Sequence, residues 1–145
     1  SSIEHILTRK GTGVVAIAPD ATLREAARAM HDLGIGSLVV GSGEDPIGLI
    51  CERDLVNRLA IDPDAGEARV DQVMGPAICV RAEDDSAHAL AVMTDSRARH
   101  LLVKQDGLVI GLISIGDLVK AQRDEQREAI CELDRYLHDR PSVVS

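Results

Sequence analysis

Apolar residues along the chain follow two rhythms, short unbroken runs and runs spaced by three and four. Val14-Val15-Ala16-Ile17 is the first short run, and its β-branched residues predict a strand. Pro19-Asp20-Ala21-Thr22 punctuates it. Leu23, Ala26, Ala27 and Met30 then recur at helical spacing, predicting a helix from about Thr22 to Leu33 that Asp20 or Thr22 can cap. Gly34-Ile35-Gly36 breaks this helix, and Ser37-Leu38-Val39-Val40 reads as a buried strand. Gly41 to Pro46 reads as a hairpin loop, Ile47-Gly48-Leu49-Ile50 as the returning strand, and a second helix starts near Glu52-Arg53-Asp54. The unit is β-α-β-β-α.

The same order then returns. Ile78-Cys79-Val80 predicts a strand, Asp85 to about Thr94 a helix, and Leu101-Leu102-Val103 a strand. Gln105-Asp106-Gly107 marks a turn, Val109 to Ile113 the last strand, and a helix follows from Asp117. Residues 17–56 fall on 80–119 without a gap, at an offset of 63, with twelve of forty pairs identical. Ile47-Gly48-Leu49-Ile50 lands on Ile110-Gly111-Leu112-Ile113, and Asp54-Leu55-Val56 on Asp117-Leu118-Val119. Chance accounts for two or three such matches, so the chain is an internal repeat. Each copy is too small to bury a good core alone, and two copies set face to face create clefts between equivalent surfaces.

The polar segment Ile61 to Arg69, with Pro63 and Gly66, reads as the linker. Val70-Asp71-Gln72-Val73-Met74 echoes Ile3-Glu4-His5-Ile6-Leu7 as a short helical lead-in. This divides the chain into residues 1–60, the first repeat with its lead-in helix; 61–69, the linker; 70–122, the second repeat; and 123–145, a C-terminal helix and tail. In that helix Ile130, Leu133 and Leu137 form a narrow apolar stripe, either a cap over the core or a contact with a second subunit.

Composition narrows the possibilities. The chain has 145 residues, 45% of them hydrophobic, as expected of one compact domain rather than a disordered segment. It has one Tyr, no Phe and no Trp, so it has no aromatic platforms on which nucleic-acid bases could stack. A net charge of −8 opposes binding to phosphate backbones and anionic membranes. No apolar run nears membrane-span length and nothing resembles a signal peptide, which makes the cytoplasm the expected location. Cys51, Cys79 and Cys131 are odd in number and widely spaced, which disfavours a zinc site or disulfide scaffold. No metal site is expected, nor a catalytic one, because no triad, P-loop or dinucleotide fingerprint occurs.

Two local signals carry chemistry. The strand-to-helix junctions read Gly111-Leu112-Ile113-Ser114-Ile115-Gly116-Asp117 and Gly48-Leu49-Ile50-Cys51-Glu52-Arg53-Asp54. Free backbone N–H groups at such a junction favour anions, and a carboxylate there can accept hydrogen bonds from a vicinal diol such as ribose. Ser114 and Asp117 can equally cap the helix, and the two roles are compatible. The second signal is Ser96-Arg97-Ala98-Arg99-His100, basic residues entering a buried strand of an acidic protein. Guanidinium suits phosphate, while a solvated edge or an Arg–Asp bridge is the plainer reading. In the first repeat the equivalent positions, from Gly34 to Ser37, are small and neutral.

With "DATLREAARAMHDLGIGSLVV", "GLICERDLV", "VDQVM" and "RHLLVKQDGLVIGLISIGDLVK", the chain resembles a CBS-domain pair, or Bateman module, from residue 3 to about 121. Stand-alone bacterial CBS-pair proteins are similar to it, including the helix after "GDLVK". The resemblance implies an α/β (α+β-like) fold of two repeats packed with pseudo-two-fold symmetry, plus a C-terminal helix. It implies adenine-nucleotide ligands (AMP, ADP, ATP, NAD(H) or S-adenosyl compounds), a sensing rather than catalytic role, a homodimer, and an unknown protein effector. A ligand-free dimerisation domain is the alternative.

Carried over by position, one site joins Ser114, Gly116 and Asp117 to Gly13, Val15, Ile35, Gly36, Ser37 and Val39. Asp117 would hold the ribose and Ser114 would lie near the sugar-phosphate. The mirror site joins Cys51, Arg53 and Asp54 to Ala77, Ile78, Ala98, Arg99, His100 and Leu102. The family often has Ser or Thr where Cys51 stands, and a thiol bonds phosphate weakly. Arg53, Arg99 and His100 make that side the more basic one, with Arg99 and His100 near the pseudo-dyad.

Overall fold

A computed structural model describes residues 2–139. Helix α1 spans Ile3–Lys10, followed by strand β1 (Ala16–Ile17), α2 (Leu23–Leu33), β2 (Ser37–Gly41), β3 (Pro46–Cys51) and α3 (Glu52–Ile61). Two 3-10 turns, Ala65–Glu67 and Val70–Gln72, bridge to β4 (Cys79–Arg81), α4 (Ser86–Ser96), β5 (His100–Gln105), β6 (Leu108–Ser114) and α5 (Ile115–Asp139). Each repeat is a three-stranded sheet with a parallel first pair and an antiparallel hairpin. The registers are equivalent, with Val39 opposite Leu49 and Leu102 opposite Leu112.

Local chemistry sets most boundaries. Thr22 accepts the Glu25 amide while Glu25 reaches back to the Thr22 amide, a reciprocal cap that starts α2. Gly34, at φ +65°, ends α2 in the left-handed region. The expected strand Val14–Ile17 is shorter than its apolar run. Gly13 turns at φ +107°, and its amide donates to the Ile110 carbonyl of the other repeat, so only Ala16 and Ile17 pair with β2.

The lead-in segments are exchanged between the repeats. Ile3, Ile6 and Leu7 of α1 are buried in the core of the second repeat with Val80, Ala89, Met93, Leu101, Val103 and Ile113. Val70, Val73 and Met74 pack on the core of the first, with Leu23, Met30, Leu38 and Ile50. A third cluster joins the two sheets through Val39, Leu49, Leu102 and Val109. The echo between the lead-ins is partial: α1 is a full helix, whereas Val70–Gln72 makes a single 3-10 turn. The linker is folded too. Ala65 is buried, and the Leu23 amide donates to the Ala68 carbonyl.

Helix α5 runs unbroken from the second repeat's junction to Asp139. Ile130, Leu133 and Leu137 are 66%, 59% and 57% exposed, so the stripe does not cap the core of its own chain.

Candidate functional site

Strands β3 and β6 each run directly into a helix, and their last residues, Cys51 and Ser114, border the same concavity. Beside them opens one cleft of about 790 Å³, within the range of small-molecule sites. Of the residues singled out in the sequence, Gly13, Val15, Ile35, Gly36, Ser37 and Ser114 line it together with Cys51, Arg53, Asp54, Ala98, Arg99 and His100. The two sites expected separately therefore share one cleft.

Six other candidates lie elsewhere. Val39 and Leu102 are fully buried between the sheets, where their apolar side chains close the inter-repeat core. Ala77 packs against the same cluster, and Ile78 packs on the second repeat's core. Gly116 and Asp117 sit in the first turn of α5, and Asp117 faces a second groove of about 350 Å³ between α1 and α5.

The junctions are capped as their spacing requires. The Ser114 amide donates to Asp117 Oδ2 at 2.8 Å, and the Asp117 amide donates to Ser114 Oγ at 3.1 Å. In the first repeat the Cys51 amide donates to Asp54 Oδ2, also at 2.8 Å. The two junctions differ in what approaches them. Lys10, the last residue of α1, donates to Asp117 Oδ2 at 2.6 Å and to the Leu112 carbonyl at 2.7 Å. Burial pushes the Asp117 carboxyl up. The Lys10 ammonium and the Ser114 amide outweigh burial and hold it below the usual carboxylate range. The echo of Ile3–Leu7 in Val70–Met74 places Ala77, not a cation, at the position equivalent to Lys10.

Across the dyad, Cys51 Sγ lies 3.9 Å from His100 Nδ1. Burial, then Asp54 and Glu52, pushes the Cys51 thiol up to about 11. It is therefore a thiol at neutral pH and a poor nucleophile. Burial, then the nearby Lys10 ammonium, holds His100 below its ordinary value despite Asp117 and Asp54. Its imidazole is therefore harder to protonate than a free one.

The charge of the lining is opposite to that of the whole chain. Lys10, Arg53, Arg97 and Arg99 face Glu52 and Asp54, four cations against two carboxylates, in a protein whose net charge is −8. Lys10 is held by Asp117, but among the described residues Arg53, Arg97 and Arg99 have no carboxylate partner. No group of three or more His, Cys, Asp or Glu side chains able to hold a metal occurs among those residues.

Lys10 was not singled out in the sequence, and Arg97 was named in the basic run before β5 but placed in neither site. Lys10 reaches the site over 107 positions, which no local pattern reveals. Arg97 had a signal: at the repeat offset it replaces Gly34.

A family model for the CBS domain matches residues 3–61 and 70–124. The mitochondrial CBS domain-containing protein CBSX3 of Arabidopsis thaliana is 33% identical over 81% of this chain, and the chain spans 61% of that protein's length. A CBS-domain containing protein from Agrobacterium tumefaciens, solved by crystallography, is 33% identical with a TM-score of 0.74, covering 84% of this chain and 99% of that one. A CBS domain protein from Pyrobaculum aerophilum, solved in complex with AMP, has a TM-score of 0.69 at 23% identity, over 81% and 89% of the two chains.

Proposed function

Since the chain belongs to the CBS-domain family as a tandem pair, we propose that its cleft binds an adenine nucleotide and that occupancy alters the conformation read by a protein effector. AMP is the first choice, with ADP, ATP and NAD(H) as further members of the class. The observation that carries this reading is the basic lining of the cleft in an otherwise acidic protein. Unpaired guanidinium groups concentrated in a concavity attract an anion and bind phosphate through paired hydrogen bonds. Val14, Val15 and Ile35 supply apolar surface for a base without an aromatic ring. The AMP complex of the Pyrobaculum aerophilum protein, which shares the fold, supports the choice.

The role is sensing, not turnover. The junction polar groups are engaged in capping, and a thiol with a value of about 11 does not suit nucleophilic chemistry. The three free cysteines fit a reducing compartment, the cytoplasm in the first instance.

The test is thermal melting with AMP, ADP, ATP and NAD. Ligand at a hundred times its Kd stabilises the native state by about 2.7 kcal/mol. In a domain of this size that amounts to a rise of roughly 5–10 °C. No shift with any of the four would support a ligand-free dimerisation domain instead.

Association accompanies either role. Val56 and Leu59 on α3 and Ile130, Leu133 and Leu137 on α5 are more than half exposed, apolar area suited to a homodimer. Light scattering at micromolar concentration gives twice the chain mass if so, and a clean monomer rejects it.

A further inference from the structure

Arg97 and Gly34 occupy equivalent places in the two repeats, each ending the helix that precedes the central hairpin. Both have left-handed backbone, φ +65° at Gly34 and +55° at Arg97. The amide of each donates to carbonyls of its helix's last turn, Met30 and His31 in one copy, Met93 and Thr94 in the other. Glycine adopts this conformation freely, whereas a residue with a Cβ pays in steric strain. At Gly34 no heavy atom stands within 4 Å of where a Cβ would sit, so a larger residue is not excluded there by space. The second repeat nonetheless carries arginine, which strains the backbone and fills no core. Its side chain lines the cleft beside Ser96, Ala98 and Arg99, and among the described residues it has no ion-pair partner.

We infer that Arg97 is an anion-binding residue of the cleft, held in a strained conformation because it contacts the phosphate of the bound nucleotide. This rests on the adenine-nucleotide reading above and deepens it, since it makes phosphorylation the feature by which the cleft selects its ligand. Among the described residues Arg97 and Asp106 are the non-glycine positions with left-handed backbone; Asp106 sits in the β5–β6 turn, where an aspartate tolerates it, whereas Arg97 is a long cationic residue at the cleft.

Arg97→Gly tests this because the two roles predict different combinations of results. Calorimetry with AMP and with adenosine is paired with thermal melting of the apo protein, for wild type, Arg97→Gly, Arg97→Asn and Arg97→Lys. The expected result for Arg97→Gly is a melting temperature a few degrees higher, AMP affinity at least fivefold lower, and adenosine affinity within twofold of wild type. Arg97→Asn, neutral but tolerant of left-handed backbone, should lose AMP in the same way. Arg97→Lys should retain most AMP binding without the gain in melting temperature. AMP affinity unchanged in Arg97→Gly, or AMP and adenosine falling by the same factor, would overturn the role of Arg97 while leaving nucleotide binding intact. A wild-type protein that binds no adenine nucleotide would overturn both.

Discussion

Asp117 shows how one carboxylate serves two structural ends. It closes the first turn of α5 through Ser114 and holds the end of α1 through Lys10. The expectation that it also holds ribose is a further proposal, with a direct test. Asp117→Ala removes a cap worth about 1 kcal/mol of stability. If ribose binds there, each lost hydrogen bond to the charged group weakens AMP by about 1.5–3 kcal/mol. Calorimetry that gives unchanged AMP affinity alongside a lower melting temperature would leave Asp117 a cap and a Lys10 partner only.

His100 supplies a pH dependence of definite sign. Its folded value lies below the ordinary 6.5 because burial and Lys10 disfavour the imidazolium. The unfolded chain therefore binds this proton more readily, so the stability contribution is present above about 6.5 and is lost as pH falls through that value. The apo protein should melt progressively lower between pH 7.5 and 5.5, and His100→Asn should flatten that part of the curve. An equal slope in wild type and variant would remove His100 as its source. A bound phosphate would act in the opposite direction, raising the imidazole's proton affinity and favouring AMP at lower pH.

The exchange of lead-in segments makes α1 part of the second repeat's core. Leu7 is 1% exposed, and a Cβ on Gly111 of β6 would come within 2.8 Å of its side chain. Leu7→Ala should destabilise the protein by about 2–5 kcal/mol. Hydrogen exchange should show protection lost first in β5, β6 and the start of α5. Loss confined to β2 and β3 of the first repeat would contradict the exchanged packing.

Elements with local determinants were legible in the sequence: the offset of 63, the Thr22 cap, the Gly34 stop and the two hairpins. The exchange was not, because Ile3-Glu4-His5-Ile6-Leu7 reads as an amphipathic turn whichever core it covers. Nor was the outward stripe of α5, since a periodic apolar pattern identifies a face without identifying what meets it. The cleft was legible as a set of residues, though not as one cavity. Val39 and Leu102 satisfy the repeat symmetry yet point into the inter-sheet core.

Two pseudo-equivalent halves enclose one cleft, but their linings differ. Lys10 approaches only the second junction, Cys51 stands where the second repeat has Ser114, and Arg97 and Arg99 face Gly34 and Gly36 across the repeat symmetry. A ligand with one charged end and one neutral end matches such a cleft better than a symmetric one. A nucleoside monophosphate has this form. Under the proposed sensing role, any second conformation must differ from this one in its affinity for the ligand. The exchanged α1, held to the junction through Lys10 and to α5 by the Arg9 pairs with Asp124 and Glu128, is an element that such a difference would move.

The central claim is that this basic cleft binds an adenine nucleotide through its phosphate. Its most direct test is calorimetric titration of the wild-type protein with AMP and with adenosine, at about 50 and 300 mM salt. Saturable AMP binding, tighter than adenosine and weakened by the salt that screens exposed charges, is the predicted result. No saturable binding of AMP at either concentration, or equal and salt-independent affinity for AMP and adenosine, would contradict it.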